Sequence, residues 1–163
     1  MRIGILSDTH DQVARTTEAV DLLAAEGAEV LVHCGDLTGP EVVEACRRLP
    51  AYYVFGNNDF DEEAIRRAIE EAGGHCLGHA GEIQVAGRRI AVTHGDSPGK
   101  LRRLAVAGPD YLLSGHTHRP SDERRGRTRW INPGALHRSP SWTVATLDLD
   151  RDRLRFLTLP ARR

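Results

Sequence analysis

Five short motifs of the chain carry side chains that can bind a metal ion. Two of them, Asp8-Thr9-His10 and His116-Thr117-His118, separate their polar residues by one position, and residues two apart project to the same side of an extended backbone. The candidate ligands offer carboxylate, amide and imidazole groups but no thiolate. Such a set favours Mn, Fe, Zn, Co or Ni and does not distinguish among them. The candidates are Asp8, His10, Asp36, Asn57, His94, His116 and His118.

These seven ligands are more than one ion takes, because ions of this kind coordinate about four to six donor atoms. The sequence therefore predicts two ions that share one carboxylate. The expected sets are Asp8, His10, Asp36 and His118 for the first ion, and Asp36, Asn57, His94 and His116 for the second.

Each of these motifs directly follows a segment whose hydrophobic pattern predicts a β-strand. Ligands of open α/β sheets bind beyond the carboxyl ends of the strands, and glycine beside a polar residue lets the backbone approach a ligand closely. One such motif is common by chance and is then usually structural, whereas five of them at five strand ends favour one shared site. The predicted strands cover residues 2–7, 29–34, 51–55, 88–93 and 110–114.

The order of the predicted elements is typical of an α/β protein. Three helices alternate with the first three strands, as in a parallel sheet. The second half, which holds a predicted hairpin around Ala86-Gly87, looks mostly antiparallel. We therefore expect one domain over residues 1–163, with two packed sheets and helices outside. The predicted helices cover residues 13–26, 40–49, 61–72 and 98–106, and the last strands cover 128–131, 142–148 and 153–159.

Composition excludes several classes of protein. The chain has 163 residues, of which 40% are hydrophobic and 28% charged, as in a globular protein and unlike a disordered or fibrous one. No apolar run approaches the roughly 18 residues of a membrane span, and Asp8 comes too early for the apolar region of a signal peptide. Three cysteines outside any CxxC motif indicate a reduced, cytoplasmic protein.

The net charge of −1 argues against a general nucleic-acid binder, so we expect no stable nucleic-acid partner and no membrane partner. The charge is uneven along the chain. Residues 1–82 hold 16 acidic and 6 basic side chains, whereas residues 83–163 hold 7 acidic and 16 basic ones. A basic half can attract an anionic substrate, although solvated arginines on outer strands give the same count.

The five motifs resemble, in order, those of the calcineurin-like metallophosphoesterase superfamily, which run D-x-H, G-D, G-N-H-[DE], H and G-H-x-H. The resemblance extends through Asn132-Pro133-Gly134-Ala135 to almost the whole chain. The short chain and the missing histidine of the third motif are similar to the small single-domain bacterial and archaeal phosphodiesterases. The resemblance implies a four-layer αββα sandwich, two mixed β-sheets flanked by helices, with a dinuclear metal site and manganese as the first expectation.

The resemblance also implies hydrolysis of a small phosphoester, with Asp36, Asn57 and Asn58 as the predicted catalytic residues. Asp36 would bridge ions about 3.5–4 Å apart, and a hydroxide held between them would attack phosphorus in line. Asn57 would bind the second ion. Asn58 stands where many relatives have a histidine that helps the leaving group; it can hydrogen-bond a phosphate oxygen but cannot act as a general acid. Asp59 would then be purely structural, and Arg119 could reach the substrate phosphate.

Two alternatives stay open on the sequence alone. The enzyme could be directed at nucleotides and hydrolyse a cyclic nucleotide or a dinucleoside polyphosphate. The same fold also serves as a non-catalytic, protein-binding scaffold in a eukaryotic retromer subunit. The resemblance is compatible with a homodimer or a tetramer. Outside the motifs, we expect His33 to lie in the core or behind the ligands, His137 to be a surface or loop residue, and Trp130 to pack in a strand.

Overall fold

The computed structural model describes residues 1–160, which form eleven strands and four helices. None of these helices is both long enough and apolar enough to cross a membrane. In chain order the elements are β1 (Arg2–Leu6), α1 (Val13–Ala25), β2 (Val30–His33), α2 (Glu41–Ala45), β3 (Ala51–Tyr53), α3 (Glu62–Glu71), β4 (His75–Cys76), β5 (Ala80–Val85), β6 (Arg88–Thr93), α4 (Pro98–Val106), β7 (Tyr111–Leu113), β8 (Ser121–Arg125), β9 (Thr128–Asn132), β10 (Thr143–Asp148) and β11 (Arg153–Thr158).

The first sheet is mixed and has the strand order β11-β10-β1-β2-β3-β4. Strands β1 to β4 are parallel, as the alternation of strands and helices predicts, because each helix returns the chain to the same end of the sheet. At the other side, β10 pairs antiparallel with β1, and β11 pairs antiparallel with β10. Parallel strands that are buried on both faces are almost continuously apolar, and β2 is buried along its whole length.

The second sheet has the order β5-β6-β7-β9-β8 and corrects one expectation. Strands β6, β7 and β9 are parallel to one another, so the expectation of a mostly antiparallel second half is wrong for the centre of this sheet. The connection from β6 to β7 contains α4, and the connection from β7 to β9 contains β8, so both are long enough to cross over. The predicted hairpin is confirmed, since β5 and β6 pair antiparallel around Ala86-Gly87.

Two strands have no counterpart in the sequence prediction. All residues of β8 are exposed, so this strand has no apolar face and no alternating pattern by which to recognise it. Strand β4 has only two residues. The predicted helix 40–49 is also shorter than expected: α2 ends at Ala45, and turns lead from there to Pro50, whose preceding residue is disfavoured in a helix.

Two apolar cores hold the layers together. Leu23 of α1 and Ile65 of α3 are fully buried in the core between the helices and the first sheet, which also includes Leu6. Ile3 and Ile5 belong to the core between the two sheets. Side chains of β1 therefore serve both cores, and α4 contacts β6 in the second sheet. The fold is thus the predicted α/β class, with two mixed sheets flanked by helices.

Candidate metal centre

The carboxyl ends of parallel strands from both sheets meet at one edge of the sandwich, where they bring the predicted motifs together. The loop after β1 binds the loop after β2, because the Asp8 N–H donates to the carbonyl of Gly35 at 3.0 Å. The loop after β7 binds the loop after β6, because the Gly115 N–H donates to the carbonyl of His94 at 2.8 Å. These backbone bonds fix the positions from which the side chains project.

Side chains from four of the motifs lie close together. Asp8 Oδ1 is 3.1 Å from Nε2 of His118 and 3.9 Å from Nε2 of His10. Asp36 Oδ2 is 3.3 Å from the Nε2 atoms of both His10 and His94. The donor atoms form two groups, each with all its atoms within 4.8 Å of one another, and each could hold a metal ion. The groups are Asp8, His10 and His118, and Asp8, Asp36 and His94.

Hydrogen bonds on the outer side of two histidines decide which nitrogen faces the cluster. Nδ1 of His94 is 2.8 Å from the carbonyl oxygen of Cys34, and Nδ1 of His118 is 3.3 Å from that of Arg138. A carbonyl oxygen can only accept, so Nδ1 carries a hydrogen in each ring, and Nε2 is the nitrogen that faces the carboxylates. Histidines that bind metals have this arrangement.

Three buried atoms at the centre of the cluster have no hydrogen-bond partner in the described part of the chain: Asp8 Oδ1, His10 Nε2 and His94 Nε2. Asp8 Oδ2, in contrast, accepts hydrogen bonds from the Ser7 hydroxyl at 2.7 Å and the His116 N–H at 3.0 Å. A buried polar atom without a partner costs about 1–3 kcal/mol. A divalent cation in each of the two donor groups would give these atoms a partner, so the residues present fit metal ions.

The other two predicted ligands lie at the rim. His116 is exposed, and its ring packs nearly perpendicular to that of His94 with the centroids 5.1 Å apart. Asn57 is exposed in the turn after β3. Neither residue belongs to the two groups, and the carboxylate common to both groups is that of Asp8, whereas the sequence predicts that Asp36 is shared. The bridging role of Asp36 and ligation by Asn57 and His116 stay predictions.

Asn58 holds the carboxylate of Asp36. Its backbone N–H donates to Asp36 Oδ1 at 2.9 Å, and its side-chain amide donates to Oδ2 at 2.7 Å. Burial raises the pKa of Asp36, but the two adjacent histidines and Asn58 together hold it well below its ordinary value. Spacing along the chain gave no sign of this contact, because it depends on how the turn after β3 folds back. The predicted contact of Asn58 with a phosphate oxygen stays a prediction.

Asp59 clamps two of the loops. Its buried carboxylate accepts hydrogen bonds from three backbone N–H groups, those of Asp36 at 3.0 Å and of Gly56 and Thr38 at 2.7 Å each. Burial raises the pKa of Asp59 in spite of these hydrogen bonds. The role of Asp59 is therefore structural, as the sequence predicts.

The backbone at the cluster adopts a conformation that side chains other than glycine rarely take. Such residues cost on the order of 1–3 kcal/mol each and are concentrated at functional sites. Gly115 allows the close approach of two loops, since a Cβ atom there would overlap the side chains of Ser7 and Asp8. Positive φ angles between 42° and 69° occur at Asp8, His10, Asp36, His116 and His118.

His137 lies closer to the cluster than the sequence indicates. It stands in a loop, as expected, but it is half-buried, and its ring centroid is 4.9 Å from that of His10. Because it belongs to no motif and follows no strand, the sequence gives no signal for this position. Arg119 is exposed and lines a pocket beside the cluster.

His33 lies behind the ligands, as expected. Burial lowers its pKa to about 3, so the ring is neutral at physiological pH. Its Nδ1 accepts a hydrogen bond from the Gly35 N–H at 3.2 Å, and its Nε2 is 3.1 Å from the hydroxyl of Thr9. The ring therefore supports the backbone of the first two motifs.

Residues 1–152 match the family model of the calcineurin-like phosphoesterase superfamily domain, and the chain belongs to this superfamily. A phosphodiesterase of Methanocaldococcus jannaschii is 26% identical over 165 residues, which cover 98% of this chain and 99% of the relative. The solved structure of an archaeal phosphodiesterase is 25% identical and has a TM-score of 0.90, covering 98% of this chain and 100% of that one. A zinc complex of Vps29 from Entamoeba histolytica, 18% identical with a TM-score of 0.68 and 98% coverage of both chains, shows the fold alone.

We predict that Asp59→Asn lowers the free energy of unfolding by about 1–3 kcal/mol, because an amide has one acceptor oxygen and leaves buried N–H groups without a partner. Urea denaturation measures the change. Asp61→Asn is the matched control. It removes the same charge at the first position before α3, where asparagine caps a helix as well as aspartate, so it should change stability by less than about 0.5 kcal/mol. Equal effects of the two substitutions would contradict the clamp.

Proposed function

We propose that this protein hydrolyses small phosphodiesters with two divalent metal ions bound at the cluster. The observation that carries the proposal is that three buried atoms without hydrogen-bond partners, Asp8 Oδ1, His10 Nε2 and His94 Nε2, converge beside the carboxylate of Asp36. The superfamily match and the relative named a phosphodiesterase support it. Manganese is the metal we propose first, while iron, zinc, nickel and cobalt suit the same oxygen and nitrogen donors.

Two bound ions would supply a hydroxide held between them as the nucleophile, and positive charge beside the phosphoryl oxygens. The work of the chain is placement. Two hydrogen bonds hold Asp36 in position. The side-chain amide of Asn58 donates to the Asp36 carboxylate, and the backbone N–H of Asp36 donates to the Asp59 carboxylate. Asn57 and His116 are exposed, so both can turn onto the second ion without disturbing the core.

Asn58 sets the expected preference among substrates. Its amide can donate a hydrogen bond but cannot protonate a leaving group. Loss of a general acid typically lowers the rate by about 10²- to 10⁴-fold for groups that need a proton. We therefore propose weak activity on esters with poor leaving groups and better activity on activated aryl diesters.

We do not adopt the protein-binding scaffold as the function. All seven predicted ligand positions carry residues that bind metals. Three buried atoms without hydrogen-bond partners would destabilise a protein that binds no metal at this site. The nucleotide-directed enzyme is a narrower form of the same hydrolysis, and a panel of substrates distinguishes it from a general diesterase.

The surroundings of the protein are part of the proposal. We propose a single domain over residues 1–163, located in the cytoplasm as a homodimer or tetramer, without a stable nucleic-acid or membrane partner. The thiols of Cys34, Cys46 and Cys76 are free, and two of them are buried, which suits a reducing compartment.

Hydrolysis of bis-p-nitrophenyl phosphate tests the proposed function. Protein stripped with a chelator should be inactive, and added Mn²⁺ should restore p-nitrophenol release. Asp36→Asn should lower the restored rate by at least about 100-fold, because loss of a ligand carboxylate weakens metal binding more than loss of a residue behind it does. Absorbance of the released phenolate measures the rate.

Asp21→Asn is the matched control for Asp36→Asn. Asp21 is an exposed carboxylate on α1, paired with Arg48 and remote from the cluster, so this variant should keep the full rate. Full activity of the stripped protein, or no activity of folded protein with any divalent ion, would contradict the proposal.

A second kinetic prediction concerns the missing histidine. Asn58→His should raise hydrolysis of a phenyl diester more than that of the matching p-nitrophenyl diester, and the ratio of the two kcat values should change by at least about tenfold. Asn58→Gln keeps an amide and should leave the ratio as it is. The same ratio in the histidine variant would show that the leaving group needs no proton from this position.

A further inference from the structure

A pocket of about 490 Å³ lies beside the metal cluster and contains none of its ligands. The two sites share the loop after β7. His118 faces the cluster, whereas Gly115, Thr117 and Arg119 of the same loop line the pocket. A molecule bound in this pocket would therefore lie next to any phosphate bound at the cluster.

One wall of the pocket is aromatic and carries a cation. Trp130 of β9 lines it together with Leu101 of α4. The guanidinium of Arg125 lies over the indole of Trp130, 4.1 Å from the ring centroid. Glu123 accepts a hydrogen bond from this guanidinium at 2.7 Å and holds it in place. An indole ring with a guanidinium fixed on it offers a flat surface on which planar rings stack.

Arg119 contributes to the same pocket a positive charge that no described residue pairs with. Among residues 1–160, its guanidinium has no hydrogen bond and no ion pair, whereas that of Arg125 is paired. Arg119 lines the pocket and directly follows His118, whose Nε2 faces Asp8 of the cluster. A guanidinium can bind two oxygens of one phosphate through two parallel N–H···O hydrogen bonds, so Arg119 is suited to contact the phosphate of a bound diester.

The rest of the lining is polar and partly fixed. Asn132 donates hydrogen bonds to the carbonyl of Gly115 at 2.7 Å and to the hydroxyl of Thr117 at 3.1 Å, so this wall is held before any ligand binds. Ser114 and Ser121 add hydroxyl groups that can donate or accept. A flat group with polar edges suits this lining better than a purely aliphatic one.

We propose that this pocket binds the planar aromatic group of the substrate, stacked on the pair Trp130 and Arg125, while Arg119 contacts the phosphate. This inference rests on the proposed function and narrows it to phosphodiesters that carry an aromatic or heteroaromatic group. Aryl esters and nucleotides share that chemistry. It also gives Trp130, expected only to pack in its strand, a part in specificity.

Tryptophan fluorescence tests the pocket without any turnover. The chain has two tryptophans, and Trp142 lines a different pocket, so Trp142→Phe leaves Trp130 as the only indole. We would titrate this variant, as purified, with adenosine 5′-monophosphate, phenyl phosphate and ribose 5-phosphate. Adenosine monophosphate or phenyl phosphate should quench Trp130 saturably, and ribose 5-phosphate should not.

Adding Arg119→Gln to the reporter variant should weaken the binding that causes the quenching by at least about fivefold, because charge-assisted hydrogen bonds to phosphate are lost. Arg67→Gln, on the exposed face of α3, is the matched control and should leave the titration as it is. Quenching by adenosine monophosphate alone would show that the aromatic group of the substrate is a nucleobase. Equal quenching by adenosine monophosphate and phenyl phosphate would show that the pocket accepts aryl esters in general. Absence of saturable quenching by both, or equal quenching by ribose 5-phosphate, would overturn the proposal.

Kinetics separate this inference from the proposed function. Trp130→Leu should raise KM for bis-p-nitrophenyl phosphate by about 5- to 150-fold with little change in kcat, since ring stacking is lost but the ions stay in place. Circular dichroism checks that the variant folds. Metal-dependent hydrolysis with KM unchanged in both Trp130→Leu and Arg119→Gln would overturn the pocket and leave the function standing. Quenching of Trp130 without hydrolysis under any metal would overturn the function and leave the pocket standing.

Discussion

Two carboxylates, those of Asp8 and Asp36, are buried where the carboxyl ends of strands from both sheets meet, and much of the nearby structure positions their oxygens. Burial of an ionised carboxylate is expensive unless opposite charge and hydrogen bonds compensate for it. Asp8 has one oxygen bound by the Ser7 hydroxyl and the His116 N–H, and Asp36 is bound by Asn58. Oxygens that face the imidazoles complete the site. A cation there would offset the burial, so metal binding and the stability of these loops are coupled.

The rest of the fold stabilises backbone conformations at this edge that the loops would not adopt by themselves. Five of the predicted metal ligands have positive φ angles, and each of them adds backbone strain. Two continuous apolar cores, one on each side of the first sheet, offset that strain far from the site. Within the site, the carboxylate of Asp59 accepts hydrogen bonds from three backbone N–H groups and so holds the loops that carry Asp36 and Asn58. Rigid strands and short clamped loops are what a preorganised site requires.

The sequence predicted where the polar residues cluster better than it predicted the topology of the second sheet and the contacts made by the loops. Polar residues after neighbouring parallel strands converge because the carboxyl ends of those strands share one edge of the sheet, and this rule predicts that Asp8 and Asp36 lie close together. His94 follows a strand of the second sheet, so its approach to them depends on how the two sheets pack. The parallel centre of the second sheet was missed, since a helix and an extra strand separate its members in the chain. The contact of Asn58 with Asp36 and the position of His137 depend on how loops fold in three dimensions, and neither leaves a periodic pattern in the sequence.

The buried atoms of this cluster are expected to bind metal ions. Equilibrium dialysis of the chelator-stripped protein against Mn²⁺, with the bound metal counted by mass spectrometry, tests it most directly. Two ions per chain are expected for the wild-type protein, and fewer than one for Asp8→Asn, because Asp8 belongs to both groups of donor atoms. Folded wild-type protein that binds no Mn²⁺, Zn²⁺ or Fe²⁺, or an Asp8→Asn variant that binds as many ions as the wild type, would contradict it.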